Sequence, residues 1–153
     1  MDAPVGVEAA DGWLATLDDK GDSWELIIHE LDDVESKIDV IQPILDSNST
    51  WDVRGDMLIV ANQTTLIAVD LLNPSQAKVT LEVDSPTDVE IITEDCFAVL
   101  EDGLLKYWDY EGLERLGPNP ESGDRVILFE SFNDQIALVF ASDPDTVHLG
   151  IVD

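Results

Sequence analysis

The chain has 153 residues and is strongly acidic, with 34 Asp plus Glu against 7 Lys plus Arg and a formal net charge of −27. This charge argues against binding to nucleic-acid backbones or anionic membrane surfaces, because seven scattered basic residues are too few to neutralise either. The hydrophobic fraction of 44% argues against a disordered chain, since the apolar residues fall in short regular runs.

In chain order, the predicted elements are short β-strands that come in groups of four. Apolar and β-branched runs of about four to seven residues alternate with tight polar turns, and helical periodicity is almost absent. We therefore predict one all-β domain built from four units. Their residue ranges are 3–42, 49–84, 87–117 and 124–153.

An internal repeat supports this division. The segment from Asp56 to Asp70 and the segment from Asp95 to Asp109 each contain an opening Asp, an apolar run, a polar turn, a second apolar run and a closing Asp. Their starts lie 39 residues apart, and a further 39 residues lead to Asp134, which opens a third copy that ends at Asp153. A looser copy begins upstream at Asp11. Repeats of about 40 residues with several short strands are typical of β-propeller blades.

The residues that close each copy carry a more specific resemblance. The second apolar run ends on an apolar residue followed by Asp at Val69-Asp70, Trp108-Asp109 and Val152-Asp153. This ending is similar to that of the third strand in WD-repeat blades. The resemblance implies a β-propeller-like array of about four blades, each with four short antiparallel strands, the last blade being incomplete. It indicates no specific functional family, and a β-sandwich or an irregular barrel is the alternative fold.

The incomplete last blade leaves three arrangements open. The chain forms a compact four-bladed ring, or an open half-ring that pairs with a second copy, or a portion of a longer protein. A half-ring would cover its exposed ends by pairing.

The acidity itself suggests an environment. Asp outnumbers Glu by 22 to 12 and only four lysines are present, so the composition resembles that of halophilic archaeal proteins. High salt screens the repulsion between such charges. The sequence thus predicts a cytoplasmic protein of a high-salt cytosol. The alternatives are an ordinary acidic protein, a cation buffer and a nucleic-acid mimic.

No catalytic or cofactor-binding motif is recognisable. His29 and His148 lie in predicted strands without metal-ligand spacing, and Cys96 is expected to be a small buried residue. The one weak metal candidate is a Ca²⁺ or other divalent-cation site in the turn that carries Asp18, Asp22 and Glu25. Lys20 stands where a further acid would be wanted, so a solvated hairpin tip is the competing interpretation.

These observations favour a non-enzymatic protein-interaction or scaffold module. The expected partner is another protein, or a second copy bound through the incomplete last blade, and the contact surface should be less acidic than the remainder. The segment Leu66 to Leu72 is one candidate for that surface. The alternative function is a metal-assisted hydrolase or lyase with an acidic site at the propeller mouth.

Overall fold

The computed structural model of the chain describes residues 6–120, 123–133, 135–143 and 146–152. Within these residues the secondary structure consists of strands and turns, arranged as four separate antiparallel sheets of four, four, four and three strands. This confirms the predicted all-β array of four blades, and the sheets are neither paired into a two-layered sandwich nor closed into a barrel.

Each sheet is a simple meander, with every strand hydrogen-bonded to the next one in the chain. The strands are, in order, β1 Gly6–Ala10, β2 Trp13–Asp19, β3 Trp24–Glu30 and β4 Asp33–Ile38 in blade 1; β5 Thr50–Arg54, β6 Met57–Ala61, β7 Thr65–Asp70 and β8 Ala77–Glu82 in blade 2; β9 Asp88–Thr93, β10 Cys96–Glu101, β11 Leu104–Asp109 and β12 Glu114–Arg115 in blade 3; and β13 Arg125–Phe132, β14 Gln135–Asp143 and β15 Thr146–Val152 in blade 4.

Tight turns join the strands of each meander. Asp11-Gly12 and Asp102-Gly103 both have positive φ angles, 51° and 93° in the first pair and 47° and 79° in the second. Two successive residues of this kind form the two-residue turn whose twist suits a β-hairpin. Both turns also contact a neighbouring blade, because Asp11 Oδ2 accepts a hydrogen bond from Gly55 N (2.7 Å) and Asp102 Oδ1 pairs with Arg125 Nη2 (2.6 Å).

The core lies between the blades. Three apolar clusters fill the successive junctions between blades 1 and 2, blades 2 and 3, and blades 3 and 4. In β6 the side chains of Leu58 and Val60 face blade 1, while those of Ile59 and Ala61 face blade 3. A strand covered on both faces needs a continuous apolar run, which explains the MLIVA sequence of β6.

The first strand of each sheet lies at the centre of the array. Strand β1 is next to β5, β5 is next to β9, and β9 is next to β13. The second, third and fourth strands follow outwards, as in the blades of a propeller. All four tryptophans pack at the junctions, Trp13, Trp24 and Trp51 between blades 1 and 2 and Trp108 between blades 2 and 3.

Candidate functional site

The central strands bring acidic side chains from all four blades to one place. Glu8 of β1, Asp52 of β5, Glu90 of β9 and Glu130 of β13 line the same open cleft of about 400 Å³. Each acid occupies a comparable position in the first strand of its blade. The cleft therefore lies along the axis of the array, and we call these four residues the axial acids.

Two of the axial acids, Glu8 and Asp52, lie next to each other. Asp52 is buried, and its Oδ2 accepts a hydrogen bond from Ile91 N at 2.6 Å. Its carboxyl group is also hydrogen-bonded to that of Glu8. Burial raises the pKa of Glu8 far above its usual value, and the neighbouring Asp52 raises it further. A hydrogen bond between two carboxyl groups requires one of them to be protonated, and the raised pKa of Glu8 favours its protonated form.

Glu90 behaves in the same way. Burial raises its pKa to about 8, with further contributions from Asp52, Glu130 and Asp88, while a hydrogen bond from Ser131 Oγ to Oε2 (3.1 Å) acts in the opposite direction. Burial also raises the pKa of Asp88 to about 6. The raised pKa values favour the protonated forms of Glu90 and Asp88 at a higher pH than is usual for carboxyl groups.

The residues of the weak metal prediction lie in the β2–β3 hairpin. Asp18 is paired with Lys20 (2.8 Å), Glu25 is paired with Lys37 (2.5 Å), and Asp22 is exposed at the tip. Two of the three carboxylates are therefore in contact with lysine ammonium groups. Among the residues that the structure describes, no group of three or more His, Cys, Asp or Glu side chains is arranged to hold a metal ion.

The repeat aspartates occupy equivalent positions where the structure describes them. Asp56 and Asp95 lie in the turn between the first and second strands of blades 2 and 3. Asp70 and Asp109 end the third strands, where each accepts a hydrogen bond at 2.9 Å from the backbone N–H two residues later. Asp134 and Asp153 lie outside the described residues.

The remaining singled-out residues have local partners. His29 Nδ1 is hydrogen-bonded to Ser36 O (2.6 Å), and His148 Nε2 is hydrogen-bonded to Ser142 Oγ (2.9 Å). Cys96 begins β10, and burial raises the pKa of its thiol.

Blade 4 exposes an apolar sheet face on the side away from blade 3. We call it the trailing face and define it by five side chains that are 49–74% exposed: Leu128, Phe132, Val147, Leu149 and Ile151. The strand register places Leu128, Val139 and Leu149 in one row across the three strands of the blade. The opposite side of the blade packs against blade 3 through Phe129, Ile136 and Leu138.

Blade 1 exposes the complementary side of its own sheet. We call it the leading face and define it by Val7, Ala9, Leu14, Thr16 and Ile27, which alternate along the strands with residues that pack on blade 2. Val7 is 60% exposed, and Leu14, Thr16 and Ile27 are half-buried. The leading and trailing faces are therefore not packed against one another within the chain.

Sequence reasoning missed the two features that stand out in the structure. The axial acids were hidden among 34 acidic residues, although their shared position in the first strand of each unit is a usable signal. Most of the segment Leu66 to Leu72, which the sequence suggests as a contact surface, is buried in blade 2, and only Leu72 is strongly exposed.

Comparisons with known proteins support the fold and leave the family open. No protein-family model and no curated protein matches the chain. The chain is similar to the crystal structure of the computationally designed Ika4 protein, with a TM-score of 0.66 and 12% identity over 99% of this chain and 92% of that one. It is also similar to the N-terminal domain of Nup159, a β-propeller, with a TM-score of 0.52 and 13% identity. That match covers 97% of this chain and 43% of the Nup159 chain, so the present chain spans less than half of its length.

The all-β architecture agrees with one further observation. In the part of the chain that the structure describes, no helix has the length and apolar character needed to cross a bilayer.

Proposed function

We propose that the protein is a protein-interaction module whose contact surfaces are the two uncovered faces at the ends of its four-blade array. The observation that carries this proposal is the trailing face, where β13 and β15 present five exposed apolar side chains to solvent on either side of β14. A contiguous apolar patch on an otherwise highly charged surface marks a site of association.

The chemistry of blade 4 supports an interaction rather than a solvated surface. In β15 the outward side chains are Val147, Leu149 and Ile151, whereas His148 and Gly150 face the blade 3 side. A strand with one face in water normally places its apolar residues on the core side and its polar residues on the solvent side. In β15 this alternation is reversed. The pattern is instead typical of a strand with a partner on that side.

Charge also favours this surface. In residues 135–142 and 146–152 there is no Asp, Glu, Lys or Arg, although acidic residues make up 34 of the 153 positions of the chain. A partner that docks on β14 and β15 therefore avoids most of the repulsion that the rest of the surface would impose, while β13 contributes one acid, Glu130, to the same face.

The proposed setting is a high-salt cytosol, as the acidic composition suggests. In such a medium, association depends mainly on apolar contacts, because salt weakens both attraction and repulsion between exposed charges.

The test compares two substitutions at equally exposed leucines. Leu149→Glu places a charge in the trailing face, and Leu72→Glu places one on blade 2, with the two side chains 74% and 72% exposed in the wild type. Each protein is used as bait for affinity capture in concentrated KCl, from a lysate to which a differently tagged copy of the chain has been added. The wild type and Leu72→Glu should recover a partner, and Leu149→Glu should not. Equal recovery with all three proteins would contradict the proposal.

A second candidate function uses the axial acids. The raised pKa values of Glu8 and Glu90 are the observation that favours acid–base chemistry at the propeller mouth, as in a metal-assisted hydrolase or lyase. Calorimetric titration with Mn²⁺ and Ca²⁺ tests it, using Asp52→Asn as the comparison. Binding of either ion by the wild type that is lost in the variant would support this function, and the same heat in both proteins would count against it.

A further inference from the structure

We infer that the occupant of the trailing face is the leading face of a second copy of this chain, and that two copies close into a ring of eight blades. This inference rests on the proposed function, which it deepens by naming the partner.

The three junctions inside the chain show what covers a face of this kind. At each junction, the face of one blade that points towards the next blade packs against the face of the next blade that points back towards the first. Between blades 1 and 2, Ala15 and Leu17 meet Leu58 and Val60. Between blades 3 and 4, Ala98 and Tyr107 meet Phe129 and Leu138. The trailing face is the first half of such a junction, and the leading face is the second half.

The middle strands carry the same information in their sequences. Strands β6 and β10, which are covered on both sides, are apolar throughout their central residues. Strand β14 contains the unbroken apolar run Ile136 to Ala141, yet only its Ile136 and Leu138 side is fully buried. The sequence of β14 therefore suits a strand that is buried on both faces, as β6 and β10 are, and a following blade would cover its second face.

The leading face suits the role of that following blade. Its central residues are apolar or neutral, and the acids at its outer end, Asp18 and Glu25, are paired with Lys20 and Lys37. A second copy can thus bring its leading face to blade 4 without adding unpaired carboxylates of its own, which would cost free energy through desolvation. The trailing face contributes one acid, Glu130 of β13, which lies at the axial cleft with the other axial acids.

Ring closure fixes the number of copies. A head-to-tail contact that joins a trailing face to a leading face leaves one of each uncovered on the pair, and a two-fold axis brings those together in an identical second junction. Propellers typically contain four to eight blades, so two copies reach the upper end of that range and three copies would exceed it.

The first measurement is the mass of the full chain in multimolar KCl by sedimentation equilibrium. We expect twice the chain mass of 16.8 kDa for the wild type and for Leu72→Glu. Leu149→Glu and Val7→Glu should each sediment at the mass of a single chain, because every junction of the ring uses one trailing and one leading face. Circular dichroism of each variant checks that it is folded, which is expected since both side chains are more than half exposed.

Mixing the two interface variants tests the head-to-tail geometry directly. In an equimolar mixture, the intact trailing face of Val7→Glu meets the intact leading face of Leu149→Glu, so one of the two junctions is restored and part of the double mass returns. Neither variant alone can form this junction.

Three results would overturn the inference. They are a wild type at single-chain mass, a Val7→Glu variant that keeps the double mass while Leu149→Glu loses it, and masses that grow without limit as concentration rises. If the wild type is a single chain but still captures another protein in a manner that Leu149→Glu abolishes, the inference fails and the proposed function stands. If no such capture occurs either, both fail.

Discussion

A glycine in the first strand allows blades 1 and 2 to approach each other closely. A Cβ atom placed on Gly6 would lie 2.3 Å from Cη2 of the Trp51 ring, far inside the contact distance. Trp51 itself packs into the cluster between the two blades. Gly6 is therefore required by the packing of the junction.

We predict that Gly6→Ala lowers the free energy of unfolding by about 1–3 kcal/mol, the usual cost of an added group in a packed site. Chemical denaturation at constant high salt measures it. The matched background is Trp51→Phe, which removes the atom that the new methyl group would strike, so the added alanine should cost less there. An equal cost in both backgrounds would show that crowding against Trp51 is not the cause.

The raised pKa values of Glu8 and Glu90 give stability a definite pH dependence. An unfolded Glu has a pKa near 4.5, while the folded values of Glu8 and Glu90 are raised, that of Glu90 to about 8. Between these values the folded state binds more protons than the unfolded state, so the free energy of unfolding falls as pH rises. The stabilising contribution is fully present below about pH 4.5 and is lost as pH rises through about 8.

We predict that the melting temperature at fixed salt decreases from pH 5 to pH 8 and that Glu90→Gln reduces this decrease, since Gln mimics the protonated acid. The variant should therefore be more stable than the wild type at pH 8 and close to it at pH 5. Glu82→Gln on the exposed side of β8 is the control and should leave the profile unchanged. A rising profile in the wild type would contradict the assignment of the protons to the axis.

At the scale of single elements, the short strand β12 depends on one carboxylate. Asp109 Oδ1 accepts hydrogen bonds from Glu111 N and Leu113 N, both at 2.9 Å, and Oδ2 pairs with the Arg115 guanidinium. These bonds, chiefly the one from the Leu113 backbone, lower the pKa of Asp109. This side chain thus reinforces the short backbone pairing between the third and fourth strands of blade 3.

We predict that Asp109→Ala increases the hydrogen-exchange rate of the amides around Glu114 and Arg115 while β10 keeps its protection. Asp70→Ala in blade 2 is the comparison, because Asp70 Oδ1 accepts a single bond from Leu72 N and β8 is six residues long. We expect β8 to retain its protection in that variant. Equal loosening of both fourth strands would show that the carboxylate has no special role in β12.

The elements also show why sequence reasoning worked where it did. The 39-residue spacing from Asp56 to Asp95 predicts strand order, because a repeated pattern of turns and apolar runs specifies a meander locally. The sequence is less informative about which side chains are covered by a neighbouring blade. Alternation predicts which residues share a face of β15, but not which face is covered by a neighbouring blade, since that depends on contacts between distant parts of the chain.

The axial acids illustrate the same limit. Glu8, Asp52 and Glu90 are each unremarkable in an acidic sequence, and only the radial packing of the first strands brings them together. The hairpin Asp18 to Glu25 shows the opposite case, because its acids are close in sequence and two of them, Asp18 and Glu25, form ion pairs with Lys20 and Lys37 of the same blade.

For the molecule as a whole, stability should depend on salt. A net charge of −27 on 153 residues opposes any compact state, and the repulsion acts over about 10 Å at 0.1 M salt but only about 3 Å at 1 M. The junctions between blades are apolar and gain from salts that strengthen burial. Both effects favour the folded state as KCl is raised.

We predict that the melting temperature rises steeply with KCl concentration and that the cooperative transition is lost on dialysis to about 0.05 M, where the repulsion between carboxylates reaches further because it is poorly screened. Circular dichroism across a KCl series measures it. Sucrose at low ionic strength is the control, because it strengthens burial without screening charge and should restore only part of the stability. A cooperative transition that keeps its midpoint at low KCl would show that the acidic surface is not an adaptation to salt. The proposed high-salt cytosol would then be wrong, whereas the ring of eight blades is tested separately by sedimentation.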